Sequence, residues 1–340
     1  MWEDAAVTDR AERLMLLDTA ALYFRAFHAV PDTVVSPGGA PVNAVRGLLD
    51  IIARLVTEFE PTRIVACWDD DWRPQWRVDL IPSYKAHRVA EEAPTDAARG
   101  DASTGSATET SSATDTGTAT ETVPDALTPQ VPVIREVLGA LGIPVVGAPE
   151  HEADDVIGTL ASHADIPVDV VTGDRDLFQL VDDSRDVRVI YTGRGMSKLE
   201  ILTDATLTAK YGIPPTQYAD YAAMRGDASD GLPGVAGVGE KTAVTLLAQY
   251  GDLDGVIAAA ADPSSKMTPR VRAGLVDAAD YLAVAPAVVR VVRDLRLPDF
   301  DARITQSTAE QAAELDRLAT EWGLGSSLKR VRDALGAAGA

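Results

Sequence analysis

Nine acidic residues fall where the sequence pattern puts strand ends and helix starts. Three short apolar runs each close on an aspartate: RLMLLD (13–18), RIVACWD (63–69) and VDVVTGD (168–174). Such runs read as buried strands of a mostly parallel sheet, and open α/β sheets build their sites at the carboxyl ends of strands. Asp18, Asp69 and Asp174 therefore share one edge. Asp176 stands two residues beyond Asp174, and Glu152, Asp154 and Asp155 open the helix of HEADDVIGTL. Asp227 and Asp230 lie three apart in GDASD, on one face if that turn is helical. Taken singly, each acid has an ordinary explanation, because acids favour a first helical turn and aspartate is common in loops. Crowded at one sheet edge they repel one another and call for cations. Oxygen ligands alone select Mg²⁺ or Mn²⁺, and His28, His87, His151 and His163 show no ligand spacing. A pair of metals held by carboxylates is the usual apparatus of phosphodiester hydrolysis.

A second stretch handles phosphate differently. LPGVAGVGEKTA (232–243) lies between two helical patterns. Gly237 and Gly239 leave amide groups bare at the second helix's N-terminus, where an anion is favoured. Lys241 adds a point charge and Thr242 a donor. Glycines alone would suit an ordinary turn between helices; the Gly-x-Gly-x-Lys-Thr order makes a phosphate cradle the better reading.

The elements that must position these groups follow from the pattern between them. Apolar residues at helical spacing (Val45, Leu48, Leu49, Ile52, Leu55; Val133, Ile134, Val137, Leu138, Leu141; Val156, Ile157, Leu160) separate the strands. Strands alternating with helices imply an α/β sheet covered on both faces. Beyond about residue 203 the strand signals fade and the chain reads as helical. The sequence has 340 residues and a net charge of −21, with 46% hydrophobic residues and a single cysteine, Cys67. That composition is globular, excludes internal disulfides and sites built on several thiolates, and shows no leader or membrane-length apolar run. A soluble cytoplasmic protein is expected. Its acidity argues against nucleic-acid binding through the overall field, but charge is uneven. Residues 72–88 hold Arg73, Arg77, Lys85 and Arg88 against Asp79 alone, whereas residues 91–125 hold eight anions and one cation. Residues 93–123 are Ser, Thr, Ala, Asp, Glu and Gly with almost no bulky apolar side chain, and read as a flexible acidic insert.

With these pieces in place the chain resembles the bacterial 5′→3′ exonuclease and flap endonuclease family, whose nuclease domain also stands at the front of DNA polymerase I. The likeness is carried by LLDTAALYFRAFHA, SYKAHR, EADDVIGTLA, TGDRDLFQL and GDASDGLPGVAGVGEKTA. It implies a PIN-like core over residues 13–202 after a disordered terminus 1–12. An arch (about 72–126) would carry the insert, a helix-hairpin-helix region of three helices would span 203–300, and a C-terminal helical extension 301–340. It implies metal-dependent cleavage at 5′ ends and 5′ flaps of DNA, or of an RNA–DNA hybrid, by a monomer. Two divalent metals would be held through Asp18, Asp69, Glu152, Asp154, Asp155, Asp174, Asp176, Asp227 and Asp230. Lys85 and Arg88 would act at or beside the scissile phosphate, Arg25 on a neighbouring phosphate, and Tyr84 would stack on a terminal base. Gly237, Gly239, Lys241 and Thr242 would grip the duplex, with a K⁺ on the turn's carbonyls. Three features depart from the family pattern. Gly231 stands where asparagine is usual, WDDDW offers Asp70 and Asp71 as rivals to Asp69, and the insert interrupts the arch. A non-catalytic binder of DNA structures is the alternative that the complete acid set argues against. A PIN-type ribonuclease and a DxD phosphatase fit less well: the former does not account for the glycine turn and arch lysine, and Asp18 has no acid two residues on.

Overall fold

The computed structural model describes residues 11–89 and 124–339. The 93–123 insert and nearly all of the 1–12 terminus lie outside the described residues. The three apolar runs form strands β1 (Leu14–Asp18), β2 (Arg63–Cys67) and β4 (Val168–Thr172), joined by β3 (Val145–Val146), β5 (Val187–Tyr191) and β6 (Glu200–Leu202). Sheet order is β3-β2-β1-β4-β5-β6; β1 to β5 run parallel, and only β6 is antiparallel to its neighbour. β1 neighbours both β2 and β4, so the winding reverses at its side and opens a crevice beyond the β1 and β4 carboxyl ends.

Alternation along β1 assigns its side chains to two cores. Leu14 and Leu16 face one layer and Met15 and Leu17 the other. On the second face lie α1 (Thr19–Ala29), α2 (Asn43–Phe59) and, after the short α3 (Gln75–Leu80), α4 (Gln130–Ala140). α2 is helical for the reason its spacing announces: Val45, Leu48, Leu49, Ile52, Leu55 and Val56 form one buried stripe. It stops at Glu60, which takes a left-handed φ of 48°. On the first face lies α5 (Ala153–His163), with Val156 and Ile157 against the sheet.

The helical region comprises α6 (Asp204–Tyr211), α7 (Tyr218–Arg225), α8 (Glu240–Tyr250), α9 (Leu253–Ala261), α10 (Pro269–Asp277) and α11 (Ala279–Val289). It shares the first face's core without a break, through Phe178, Tyr218, Tyr221, Leu246 and Val256. The chain then returns to the sheet. Ile64 N–H donates to Ala302 O (2.8 Å) and Ile304 N–H to Thr62 O (2.9 Å), which pairs this segment with β2. α12 (Ala309–Trp322) and α13 (Gly325–Ala338) close the second core with Leu315, Leu318, Leu328, Val331 and Leu335. α13 lies along α2, where Ser327 Oγ donates to Asp50 Oδ2 (3.2 Å) and Arg330 pairs with Asp50 (2.7 Å). Leu315, Leu318, Leu324, Leu328, Val331 and Leu335 thus join the second core from beyond residue 301.

Leu328 is only 2% exposed at this junction. Leu328→Ala should lower the urea unfolding free energy by about 2–5 kcal/mol with an unchanged m-value. A loss below about 0.5 kcal/mol would show that α13 is not packed as described.

Candidate active site

The crevice beside β1 is built from residues whose backbones the strand ends fix. Asp18 ends β1 and caps α1: Oδ1 accepts from Ala21 N–H (3.2 Å) and Oδ2 from the Thr172 hydroxyl (2.6 Å). Thr172, the last residue of β4, also accepts the Asp174 amide (2.8 Å), so one hydroxyl sets the spacing of two acids. Asp69 follows β2, and its Oδ1 accepts from Ala153 N–H (2.7 Å) at the start of α5. Asp18, Asp69, Glu152, Asp154 and Asp174 line a cleft of about 280 Å³ together with Arg25, Lys85 and Arg88. Asp70 and Asp71 stay outside it. Asp70 is exposed with Arg135 3.6 Å away, and Asp71 is buried accepting the Arg73 amide (3.1 Å).

Two of the expected site residues stand outside the cleft lining. Asp155 is fully buried and turns away from the cleft. Arg77 Nη1 and Nη2 donate to its two carboxylate oxygens (2.9 and 2.7 Å), and Val292 N–H donates to Oδ1 (2.8 Å). Tyr84 is only 4% exposed, and its hydroxyl donates to Glu152 Oε1 (2.7 Å). The physical reason is shared. Arg77 and Ile81, four apart, face inward and draw the segment 72–88 against α5. Arg77 also donates to Glu152 Oε1 (3.0 Å) and, through Nε, to Val288 O (3.2 Å) at the end of α11. Lys85 Nζ pairs with Glu152 Oε2 and reaches Trp72 O (3.3 Å).

A second acid group borders the first through Asp174. The Asp176 amide donates to Asp174 Oδ1 (2.9 Å). Asp227 and Asp230 sit in a short 3₁₀ turn, where Asp227 meets Arg225 (3.0 Å) and Arg175 (3.9 Å) and Asp230 meets Arg88 (2.8 Å). Burial, joined by repulsion from Asp69 and Asp174, pushes Asp18 up to about 7 despite the Thr172 hydroxyl. Burial and Asp174 push Asp230 up to about 6 against Lys85 and Arg88. Burial raises Asp69, and lifts Asp154 and Asp176 well above the carboxylate range with Asp174 adding repulsion. Glu152 goes the other way: burial opposes it, but Lys85 and Arg77 outweigh that and hold it low. Burial likewise works against the lowering of Asp227, which the Ser229 hydroxyl and amide bring about with Arg225 and Arg175. Among the described residues no three acid, histidine or cysteine side chains already form a closed ligand set. The donor chemistry nevertheless fits hard divalent cations: carboxylate oxygens only, buried or half-buried, with more negative charge than the local cations balance.

Arg25, on α1, lines the same cleft and its Nε has no hydrogen-bond partner among the described residues. The glycine turn connects α7 to α8. Val235 and Val238 are buried and anchor it, leaving Gly237, Gly239 and Lys241 exposed and Thr242 half-buried at the start of α8. Gly234 is required there, since its φ is +66° and a Cβ would stand 2.5 Å from Arg225 O. Sequence reasoning missed Thr172, Arg175 and Arg225, and counted Arg77 only as arch charge. Its four-residue offset from Ile81 was the available signal.

Comparison with known proteins identifies a family. Residues 13–212 match the model of the 5′-3′ exonuclease N-terminal resolvase-like domain, and residues 213–312 that of the 5′-3′ exonuclease C-terminal SAM fold. A 5′-3′ exonuclease of Streptomyces coelicolor is 56% identical over 317 residues, covering 93% of this chain and 98% of that one. One from Mycobacterium tuberculosis is 47% identical over 332 residues, covering 95% and 97%. Among solved structures, a phage T5 5′-exonuclease with bound divalent zinc superposes with a TM-score of 0.58 at 17% identity, covering 95% of this chain and 98% of its own. That likeness speaks for the fold, whereas the two domain models and the close sequence relatives carry the assignment: the chain belongs to the 5′-3′ exonuclease family.

Proposed function

We propose that the acid-lined cleft hydrolyses phosphodiester bonds at 5′ ends and 5′ flaps of DNA, with two Mg²⁺ or Mn²⁺ ions. The observation that carries this reading is the meeting of five carboxylates with Arg25, Lys85 and Arg88 in one cleft beyond the β1 and β4 ends. Asp18, Asp69, Glu152, Asp154 and Asp174 would hold one cation, and Asp174, Asp176, Asp227 and Asp230 the other. Bound cations there activate water and neutralise charge on the phosphoryl oxygens. Asp155, whose carboxylate is taken up by Arg77, is left out of this assignment; through Arg77 it would orient Glu152.

Lys85 stays protonated well above neutral pH: burial works against its charge, but Glu152 outweighs burial. Its ammonium then faces the oxygens of the scissile phosphate, where charge grows in the transition state. Arg25 and Arg88 hold flanking phosphates. The amides at Gly237 and Gly239, with Lys241 and Thr242, hold the duplex backbone, and the turn's carbonyls take a K⁺. None of this depends on net charge, since each phosphate meets local donors.

A 5′-labelled flap substrate tests the reading directly. With Mg²⁺ the wild type should release short labelled products, and chelator should abolish them. Asp154→Asn and Asp174→Asn should each lower the single-turnover rate by on the order of 10³-fold while the fold persists. Near-normal rates in both variants would sink the proposal.

The two lysines should separate binding from chemistry. Lys241→Ala should weaken DNA binding and reduce the slope of log K against log salt by about one. Lys85→Ala should lose mainly the cleavage step. The roles are wrong if single-turnover rates at saturating enzyme fall further for Lys241→Ala.

The raised acids also predict a pH dependence. Asp18 moves from its ordinary 3.8 to about 7 and Asp230 to about 6, so between about pH 4 and 7 the folded protein holds protons that the unfolded chain has released. Stability of the metal-free protein should therefore fall as pH rises through that window. Glu152 and Asp227 are lowered, and their contribution is lost only below about pH 4. Thermal unfolding in chelator at pH 5 and pH 8 reads the first effect. Mg²⁺ should raise Tm more at pH 8; an equal rise at both values would contradict the charge balance described.

A further inference from the structure

The segment that carries Lys85 is seated on the turn Asp227–Gly231, and the seat is closer than a side chain at 231 would allow. Ser83 Oγ donates to Gly231 O (2.7 Å), and the Lys85 amide donates to Asp230 O (3.0 Å). Arg88 donates to Ser229 O and to Asp230 Oδ1, both at 2.8 Å. A Cβ on Gly231 would stand 2.0 Å from Ser83 O, 2.9 Å from its carbonyl carbon and 3.4 Å from Lys85 N. Gly231 itself has a φ of +69°, and Lys85, unusually for a residue with a side chain, has a φ of +48°. The Lys85 backbone is thus held in a disfavoured conformation by contacts on both sides of it.

We propose that in this chain Gly231, where the family usually carries asparagine, has become a positioning residue for the cleavage step: by carrying no side chain it lets the Ser83 carbonyl and the Lys85 amide dock more closely on the acidic turn, and this fixes where the Lys85 ammonium stands over the cleft. The proposal rests on the role given to Lys85 above. Any Cβ at 231 must push the Ser83 carbonyl away by more than an ångström to reach ordinary contact, and Lys85 is only two residues further along. A displacement of about 1 Å at a reacting centre costs up to about a hundredfold in rate. The same turn holds Asp227 and Asp230, so the docking also ties the arch base to the second acid group without passing through the cleft itself.

Gly231→Asn is the discriminating variant, because asparagine tolerates positive φ and so isolates the steric contact from backbone strain. Hydrogen exchange in chelator should show the Lys85 amide losing protection while core amides keep theirs. DNA affinity in chelator should stay within about twofold, and the single-turnover rate with Mg²⁺ should fall about 10–100-fold. In a Lys85→Ala background the same substitution should cost little more, since both changes act on one group. Ser83→Ala, which keeps the space but removes one hydrogen bond, should speed Lys85 amide exchange and slow cleavage by a smaller factor. Unchanged amide protection and rate in Gly231→Asn would overturn the proposal, as would an equal loss with and without Lys85. Should Gly231→Asn fail to fold, unchanged exchange and rate in Ser83→Ala would overturn it alone. A wild-type rate in Lys85→Ala would instead overturn the role of Lys85, and the exchange measurement would still report whether the seat exists.

Discussion

Like charge gathered at one buried sheet edge is the constraint around which this molecule is organised. Carboxylates at the β1, β2 and β4 ends cannot all ionise in a low-dielectric crevice without compensation. The chain answers from one segment. Arg77, Lys85 and Arg88 all turn inward from residues 72–88, onto Glu152 and Asp155, Glu152, and Asp230 respectively. Removing one member of such a buried pairing leaves its partner uncompensated, which is why the segment lies flat against α5. Burial, with mutual repulsion added, raises Asp18, Asp154 and Asp176, and divalent cations would offset both.

The same contacts unite parts of the protein that the sequence presents separately. Arg77 touches α5 and the end of α11 at once, and Asp155 accepts from Val292 just beyond it. Gly158 on α5 admits Val292 O so closely that a Cβ would stand 2.6 Å from it. The nuclease core and the helical region therefore meet at α5 through a guanidinium, a buried carboxylate and a bare backbone. The glycine turn and the acid-lined cleft are linked by this junction.

Much of this was legible in the chain. An apolar run ending in aspartate is a strong signal, because a strand buried on both faces leaves little alternative, and β1, β2 and β4 appear where those runs stand. The α2 stripe and the glycine turn were equally plain, being local in sequence. What escaped reading depends on partners far along the chain. Asp155 looks identical to Asp154 in EADD, and only Arg77 and the residue 292 amide decide that it faces inward. Tyr84 carries the same aromatic ring whether stacked in solvent or buried; Glu152, sixty-eight residues away, settles it. The docking of α13 on α2 left no local trace, since an amphipathic helix does not name the face it will cover.

That docking has a consequence for how the protein is made. α2 is complete by residue 59, yet its partner surface on α13 begins at residue 325, and the hydrogen bond between Asp50 and Ser327 spans 277 positions. At about 5–20 residues per second, synthesis leaves the α2 stripe without that cover for tens of seconds. During that interval an apolar helix face stands open to chaperones and to neighbouring chains on the same message. α13 therefore covers α2 only late in synthesis, and products that stop short of residue 325 should be the species that aggregate.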